Sequence, residues 1–157
     1  MEGKTRKIKV SLTEDQPVEE GVRGSLQNFI SGLAIPQKVE LASKGNREVR
    51  QILSRDPNRM VARAVILSPR LSENDVAAYA SSPLTNEEVL REIGGNREWM
   101  SHPHLVKALV SNPRSPVPVA MRHLVHLSPA ELNLLSRNPN VHAVIRREAK
   151  RLAIRRR

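Results

Sequence analysis

The sequence predicts an all-α chain, and three observations carry that reading. Apolar residues recur at helical spacing in several segments, no stretch alternates convincingly with period two, and prolines punctuate the pattern at near-regular intervals. Composition agrees. Aromatic residues make up 2% of the chain, namely Phe29, Tyr79 and Trp99, so the core must be built from Leu, Val, Ile, Ala and Met, which suits packed helices. At 157 residues the chain has room for one domain with a real core.

Residues 1–24 are polar, include Pro17, Gly21 and Gly24, and show no sustained apolar period, so they read as a flexible basic/polar arm. Residues 25–157 read as a single α-helical repeat domain. Val89, Leu90 and Ile93 mark one buried helix face. Leu105, Val106, Leu109 and Val110 mark the next, and Val117, Ala120, Met121, Leu124 and Val125 the one after. Helix starts are expected at Ser72, Thr85 and Ser128, each with a carboxylate three residues on as in a capping box. Pro116 and Pro129 fall where a first helical residue tolerates proline, whose missing N–H would have had no partner. The last helix is expected over 140–156, with Val141, Val144, Ile145, Ala149, Leu152 and Ala153 on its inner side.

The punctuation repeats. Pro57 to Pro83 and Pro113 to Pro139 each span 26 residues, and Pro83 to Pro113 spans 30. The approaches resemble one another: LSRDP at 53–57, ASSP at 80–83, VSNP at 110–113 and LSRNP at 135–139. The tetrapeptide GNRE also occurs twice, at Gly45 and at Gly95. Glycine suits a left-handed C-terminal position and Asn the next N-cap, so GNRE reads as a helix stop followed by a start.

These boundaries and unit lengths resemble the leucine-rich repeat variant, an α-solenoid family near the HEAT and armadillo repeats, over about Val39 to Leu152. The resemblance implies a short right-handed α-solenoid of stacked helix pairs, about eight to ten helices in all, with an extended concave surface for binding. Proteins of that family can carry an iron–sulfur module ahead of the repeats; with no cysteine, this chain cannot. The HEAT-like alkylpurine DNA glycosylases are more distant, and neither their aromatic residues nor their catalytic aspartate has a matching motif here.

Catalytic chemistry is not legible. There is no GxSxG elbow, phosphate loop or HExxH, and the absence of cysteine removes disulfides and thiolate metal sites. His102-x-His104 and His123-x-x-His126 have ligand spacing, but no cysteine and no nearby carboxylate completes either pair, so no metal is expected and they read as boundary or surface histidines. Trp99 reads as packing between units. No cofactor, no small-molecule substrate and no enzymatic activity are expected. No apolar run reaches the ~20 residues of a membrane span, and no signal segment stands at the start, so a cytoplasmic protein is the expectation.

Charge supplies the remaining signal. The net charge is +10, yet residues 11–136 are neutral. Residues 1–10 carry four basic residues against one acidic, and residues 137–157 eight against one. Arg91 follows Glu87 and Glu88 as a local helix pair, whereas Arg63 and Arg122 have no acidic residue within four positions. Both follow a boundary proline, and equivalent helices stack, so with Arg146 and Arg147 they form a possible ladder. On the last helix Arg146, Arg147, Lys150 and Arg151 gather opposite the apolar side, with Arg155 beyond. Holding like charges together costs stability unless an anionic partner relieves it, and arginine predominates over lysine, which fits bidentate recognition of carboxylate or phosphate. The expected binding set is therefore Arg63, Arg122, Arg146, Arg147, Lys150, Arg151 and Arg155. The neutral body and scarce aromatics favour a scaffold that docks an acidic protein. The alternative is a nucleic-acid-binding protein making mainly phosphate contacts.

Overall fold

A computed structural model describes residues 10–156. Every regular element among them is helical: α1 (Glu20–Ser31), α2 (Ile35–Lys44), α3 (Arg47–Leu53), α4 (Arg59–Ile66), α5 (Glu73–Ser81), α6 (Glu87–Gly95), α7 (Pro103–Ser111), α8 (Val117–His123), α9 (Pro129–Ser136) and α10 (Ala143–Arg155). Short 3-10 turns cover Trp99–Ser101 and Leu124–His126. The all-α reading holds. From α2 onward each even-numbered helix packs on the next even one, through α4, α6 and α8 to α10, while α3 packs on α5 and α5 on α7. Two rows of short helices result, and each row buries the apolar stripe that one helix pair is too small to hide alone.

The core is aliphatic, as the composition requires. Leu53, Val65, Val89, Leu90, Ile93, Leu105 and Leu109 belong to one buried cluster, and Val110, Leu124, Leu132, Ile145 and Ala149 to a second. Met100 packs against both, and Trp99 against the first, in the turn between α6 and α7. The expected faces of α6 and α7 are buried in full. That of α8 is corrected: Leu124 and Ala120 are buried, but Val119 is buried too and Val125 is 52% exposed. The chain tightens into a 3-10 turn at Leu124, which advances side chains by about 120° per residue instead of 100° and rolls Val125 outward.

Unit boundaries are sealed by asparagine. Asn86 accepts from Glu88 N–H through Oδ1 while its Nδ2 donates to Asp56 O, 2.7 Å away. Asn112 accepts from Arg114 N–H and donates to Ala80 O and Ser82 O at 2.7 and 2.9 Å. Asn46 accepts from Val49 N–H and donates to Ser11 O and Glu14 O. Asn46 and Asn86 thus start α3 and α6 and Asn112 ends α7, and each amide fills carbonyls of the chain 30 to 35 residues earlier.

Several local expectations are refined. The capping boxes at Ser72 with Asp75 and Ser128 with Glu131 are present, with Pro129 as the first residue of α9. At the third site Asn86 is the cap, because the buried Thr85 hydroxyl donates to Tyr79 O instead. Pro116 is itself the residue before α8, so Pro118 takes the first turn. The last helix begins at Ala143, with the His142 ring accepting from Val144 N–H. Over residues 10–24 the structure differs from the expected arm. Leu12 packs on the core, Leu12 O accepts from Asn46 N–H, Thr13 O accepts from the Arg70 guanidinium, and α1 begins at Glu20. Arg47 N–H donates to Asp15, which holds that carboxyl below the usual carboxylate range. Residues 1–9, with Lys4, Arg6, Lys7 and Lys9, lie outside the described residues, as does Arg157.

One ion pair is fully internal. Arg50 on α3 donates to Asp75 on α5 at 2.9 Å and to Gly45 O at 2.9 Å, and both charged side chains are buried. Asp75 also accepts from Ser72 N–H and pairs with Arg47. Beside it Tyr79 is buried; loss of solvent, then the Asp75 charge, push its phenol from 10.0 up to about 12.

Neither GNRE glycine is left-handed: Gly45 has φ −65° and ψ 155°, and no described glycine has positive φ. Their constraints differ instead. A methyl group on Gly45 would lie 2.5 Å from Leu41 O and 2.6 Å from Val49 Cγ1, whereas one on Gly95 would meet nothing within 4 Å. Gly45→Ala should therefore cost about 1–3 kcal/mol in denaturant unfolding, and Gly95→Ala should be neutral or up to ~1 kcal/mol stabilising. Tyr79 is the only tyrosine, so tyrosinate absorbance reports it alone. Its midpoint should lie near 12 in the folded protein and near 10 in denaturant. Between those values the unfolded chain has released the proton that the folded chain keeps, so stability should fall as pH rises through that interval.

Candidate binding surface

The structure separates the seven expected binding residues into engaged and free. Arg63 on α4 meets Glu92 on α6 at 3.4 Å, and Arg59, one turn earlier, meets Glu88 at 3.2 Å. Glu88 is shared with Arg91. The ladder expected from Arg63 through Arg122 is therefore interrupted, because the helix stacked between them presents carboxylates. Arg122 on α8 is exposed and has no ion pair among the described residues. It lines a cleft of about 350 Å³ with Leu67, Arg91, Glu92, Asn96 and Trp99.

On α10 the division is sharper. Arg146 is turned back on its own helix start and donates to the carbonyls of Pro139 and Val141 at 3.2 and 3.1 Å, so it caps the LSRNP turn. Arg151 forks onto Glu148 at 2.9 and 2.5 Å, which, with the Arg151 and Arg155 charges, holds Glu148 below the ordinary carboxylate range. Arg156 crosses to the preceding unit and donates to Leu127 O at 2.8 Å and Val125 O at 2.9 Å. Arg147, Lys150 and Arg155 are exposed and carry no ion pair among the described residues.

The inner side of α10 is as expected: Val141, Ile145, Ala149 and Ala153 are buried against α8 and α9, with Leu152 half-buried. Its outer side holds more than charge. Ile154 is 54% exposed and falls between Arg147 and Lys150 on the helical wheel. It lines a cleft of about 320 Å³ between α9 and α10 with Lys150, Arg137, Asn133 and Ser136. Arg137, exposed at the end of α9, was not among the expected binding residues, since its place beside Lys150 depends on how α9 meets α10. Leu134, one turn before Arg137, is 65% exposed.

A second cluster was missed for the same reason. The pair His102 and His104 does gain a carboxylate, from Glu73 on α5, with His104 Nε2 3.0 Å from Glu73 Oε1. The rings of His123 and His126 lie 5.9 Å apart but gain no carboxylate among the described residues, and His123 Nε2 sits 2.7 Å from Gly94 O, joining α8 to α6. Among the described residues no helix is long and apolar enough to cross a membrane.

No protein-family model matches the chain, and no curated protein or solved structure is detectably similar to it. The site must be read from its own chemistry.

The engaged and free arginines predict different mutational responses. Arg156→Gln strands two carbonyls of the preceding turn and should cost about 1–2 kcal/mol in thermal or denaturant unfolding. Arg147→Gln and Arg155→Gln remove exposed, unpaired charges and should stay within about 0.5 kcal/mol of wild type.

Proposed function

We propose that this chain is a non-enzymatic helical-repeat scaffold of the α-solenoid kind, and that it docks an acidic protein on the outer side of α10. The supporting observation is Ile154, an aliphatic side chain left exposed among the unpaired cations Arg147, Lys150, Arg155 and the nearby Arg137. A surface that only tracks phosphates gains nothing from an exposed isoleucine, whereas a protein interface combines an apolar centre with a charged rim. Carboxylates on the partner would relieve the repulsion among the free cations, and arginine would meet them with two parallel hydrogen bonds. The scarcity of aromatic side chains weakens the nucleic-acid alternative, since base stacking needs them. What favours that alternative is the clustering itself: three exposed, unpaired cations on one helix offer three phosphate contacts.

The two readings separate in one binding experiment. Fluorescence anisotropy would compare an acidic peptide carrying one leucine, the same peptide with glycine there, and a random-sequence duplex DNA. For protein docking, the leucine peptide should bind at least about fivefold tighter than the glycine peptide, the worth of ~1 kcal/mol of buried aliphatic surface. Ile154→Gln should erase that difference, and Arg147→Gln/Lys150→Gln/Arg155→Gln should weaken both peptides while circular dichroism remains helical. If instead the duplex binds more tightly than either peptide, with a log–log salt slope of about −2.7 that the triple variant abolishes, three phosphates are being neutralised and the nucleic-acid reading stands.

A further inference from the structure

The first turns of α5 and α7 lie side by side and bring three metal-ligating side chains to one point. Glu73 is the first residue of α5, His102 immediately precedes α7, and His104 lies in its first turn, with Pro103 fixing the backbone between the histidines. His104 Nε2 is 3.0 Å from Glu73 Oε1, His102 Nε2 is 3.7 Å from Glu73 Oε2, and one donor atom from each residue lies within 4.8 Å of the other two. Around a tetrahedral zinc with bonds of about 2.0–2.2 Å, neighbouring donors stand roughly 3.3–3.5 Å apart. The two histidine–carboxylate separations straddle that value and all three donors lie within 4.8 Å, a span that side-chain rotation about exposed χ angles can close.

We propose that Glu73, His102 and His104 form a site for a divalent transition-metal ion, zinc foremost, that ties α5 to α7. The donor chemistry selects the class of ion. Two imidazoles and one carboxylate suit zinc, copper, nickel or cobalt, whereas calcium and magnesium require oxygen-rich shells of six or more ligands. Three protein ligands leave one position for water, and all three side chains are reached by solvent, so an ion enters without any opening of the fold. The two helix N-termini place partial positive charge here, which the Glu73 carboxylate offsets. No hydrogen bond commits Glu73 elsewhere among the described residues. The site joins one unit of the stack to the next, as the asparagine bonds do at the boundaries.

The test uses the full, untagged chain and zinc chloride, titrated calorimetrically and in competition with a chromophoric chelator. The expected result is one zinc per chain on the wild-type protein. Glu73→Gln and, separately, His104→Asn should each weaken it by about tenfold or more. Saturating zinc should raise the wild-type thermal midpoint by about 5 °C or more and leave that of both variants nearly unchanged. Cobalt(II) should give the visible bands of a four-coordinate ion on wild type and lose them in both variants. Absence of one-to-one binding overturns the proposal. So does binding of undiminished affinity in the two variants, which would place the ion away from this cluster. The substitutions sit on different helices and alter exposed side chains, and a metal-free melt verifies that each variant is folded before it is scored.

Discussion

Helix pairs this short cannot bury their own apolar stripe, so everything else depends on how each pair is fastened to the previous one. The fastening is a side-chain amide that faces two ways. Asn46, Asn86 and Asn112 are all buried, and each accepts from an N–H two or three residues on while donating to carbonyls 30 to 35 residues earlier. A backbone N–H or carbonyl left without a partner away from water costs about 1–3 kcal/mol. One amide satisfies a donor and an acceptor at once, which explains why Asn recurs at these boundaries. Ion pairs follow the same reach: Arg59 with Glu88 and Arg63 with Glu92 each tie one unit to the next.

Local chemistry in this chain was legible and distant pairing was not. The faces of α6 and α7, the boxes at Ser72 and Ser128 and the inner side of α10 depend on residues within one or two turns, so the sequence displays them directly. Thr85 failed as a cap because Tyr79 O, from the preceding helix, competes for its hydroxyl. Val125 failed as a core residue because Leu124 switches the helical period. The partners of Arg63, Arg50 and the His102 pair lie on helices of a neighbouring unit, beyond any local window. A signal for them did exist. The proline spacing sets a register, and within it Arg59 and Arg63 face Glu88 and Glu92 with the same offset. A period found from prolines could have been applied to charges.

The C-terminal helix shows why a charge count alone misjudges a surface. Carbonyl capping and free charge are not competing descriptions of α10, since they fall on different residues of it. Arg146 and Arg156 use guanidinium donors to fill carbonyls at the end of the stack, in the role that asparagine fills at earlier boundaries. A guanidinium offers five donors and a longer reach, which lets one side chain serve carbonyls on a neighbouring turn. Arg151 is neutralised one turn away by Glu148. What remains after these uses is a smaller and more specific patch than the composition suggests: Arg147, Lys150 and Arg155 on one helix, Arg137 beside it, and Ile154 among them.

That remainder stands beside a body in which most cations are paired. Arg23, Lys38, Lys44, Arg47, Arg50, Arg59, Arg63, Arg70 and Arg91 all meet carboxylates, most of them across a unit boundary. Exposed pairs of this kind contribute little stability singly. Their effect is on specificity, since each cation matched in place is one fewer site for a stray anion. Arg55, Arg97, Lys107, Arg114 and Arg122 also make no ion pair among the described residues, but they are spread along the chain, whereas Arg147, Lys150 and Arg155 share one helix with Arg137 beside Lys150. Against a body whose own charges cancel, even three or four unpaired cations give the end of α9 and α10 a positive field that the rest of the chain does not offset.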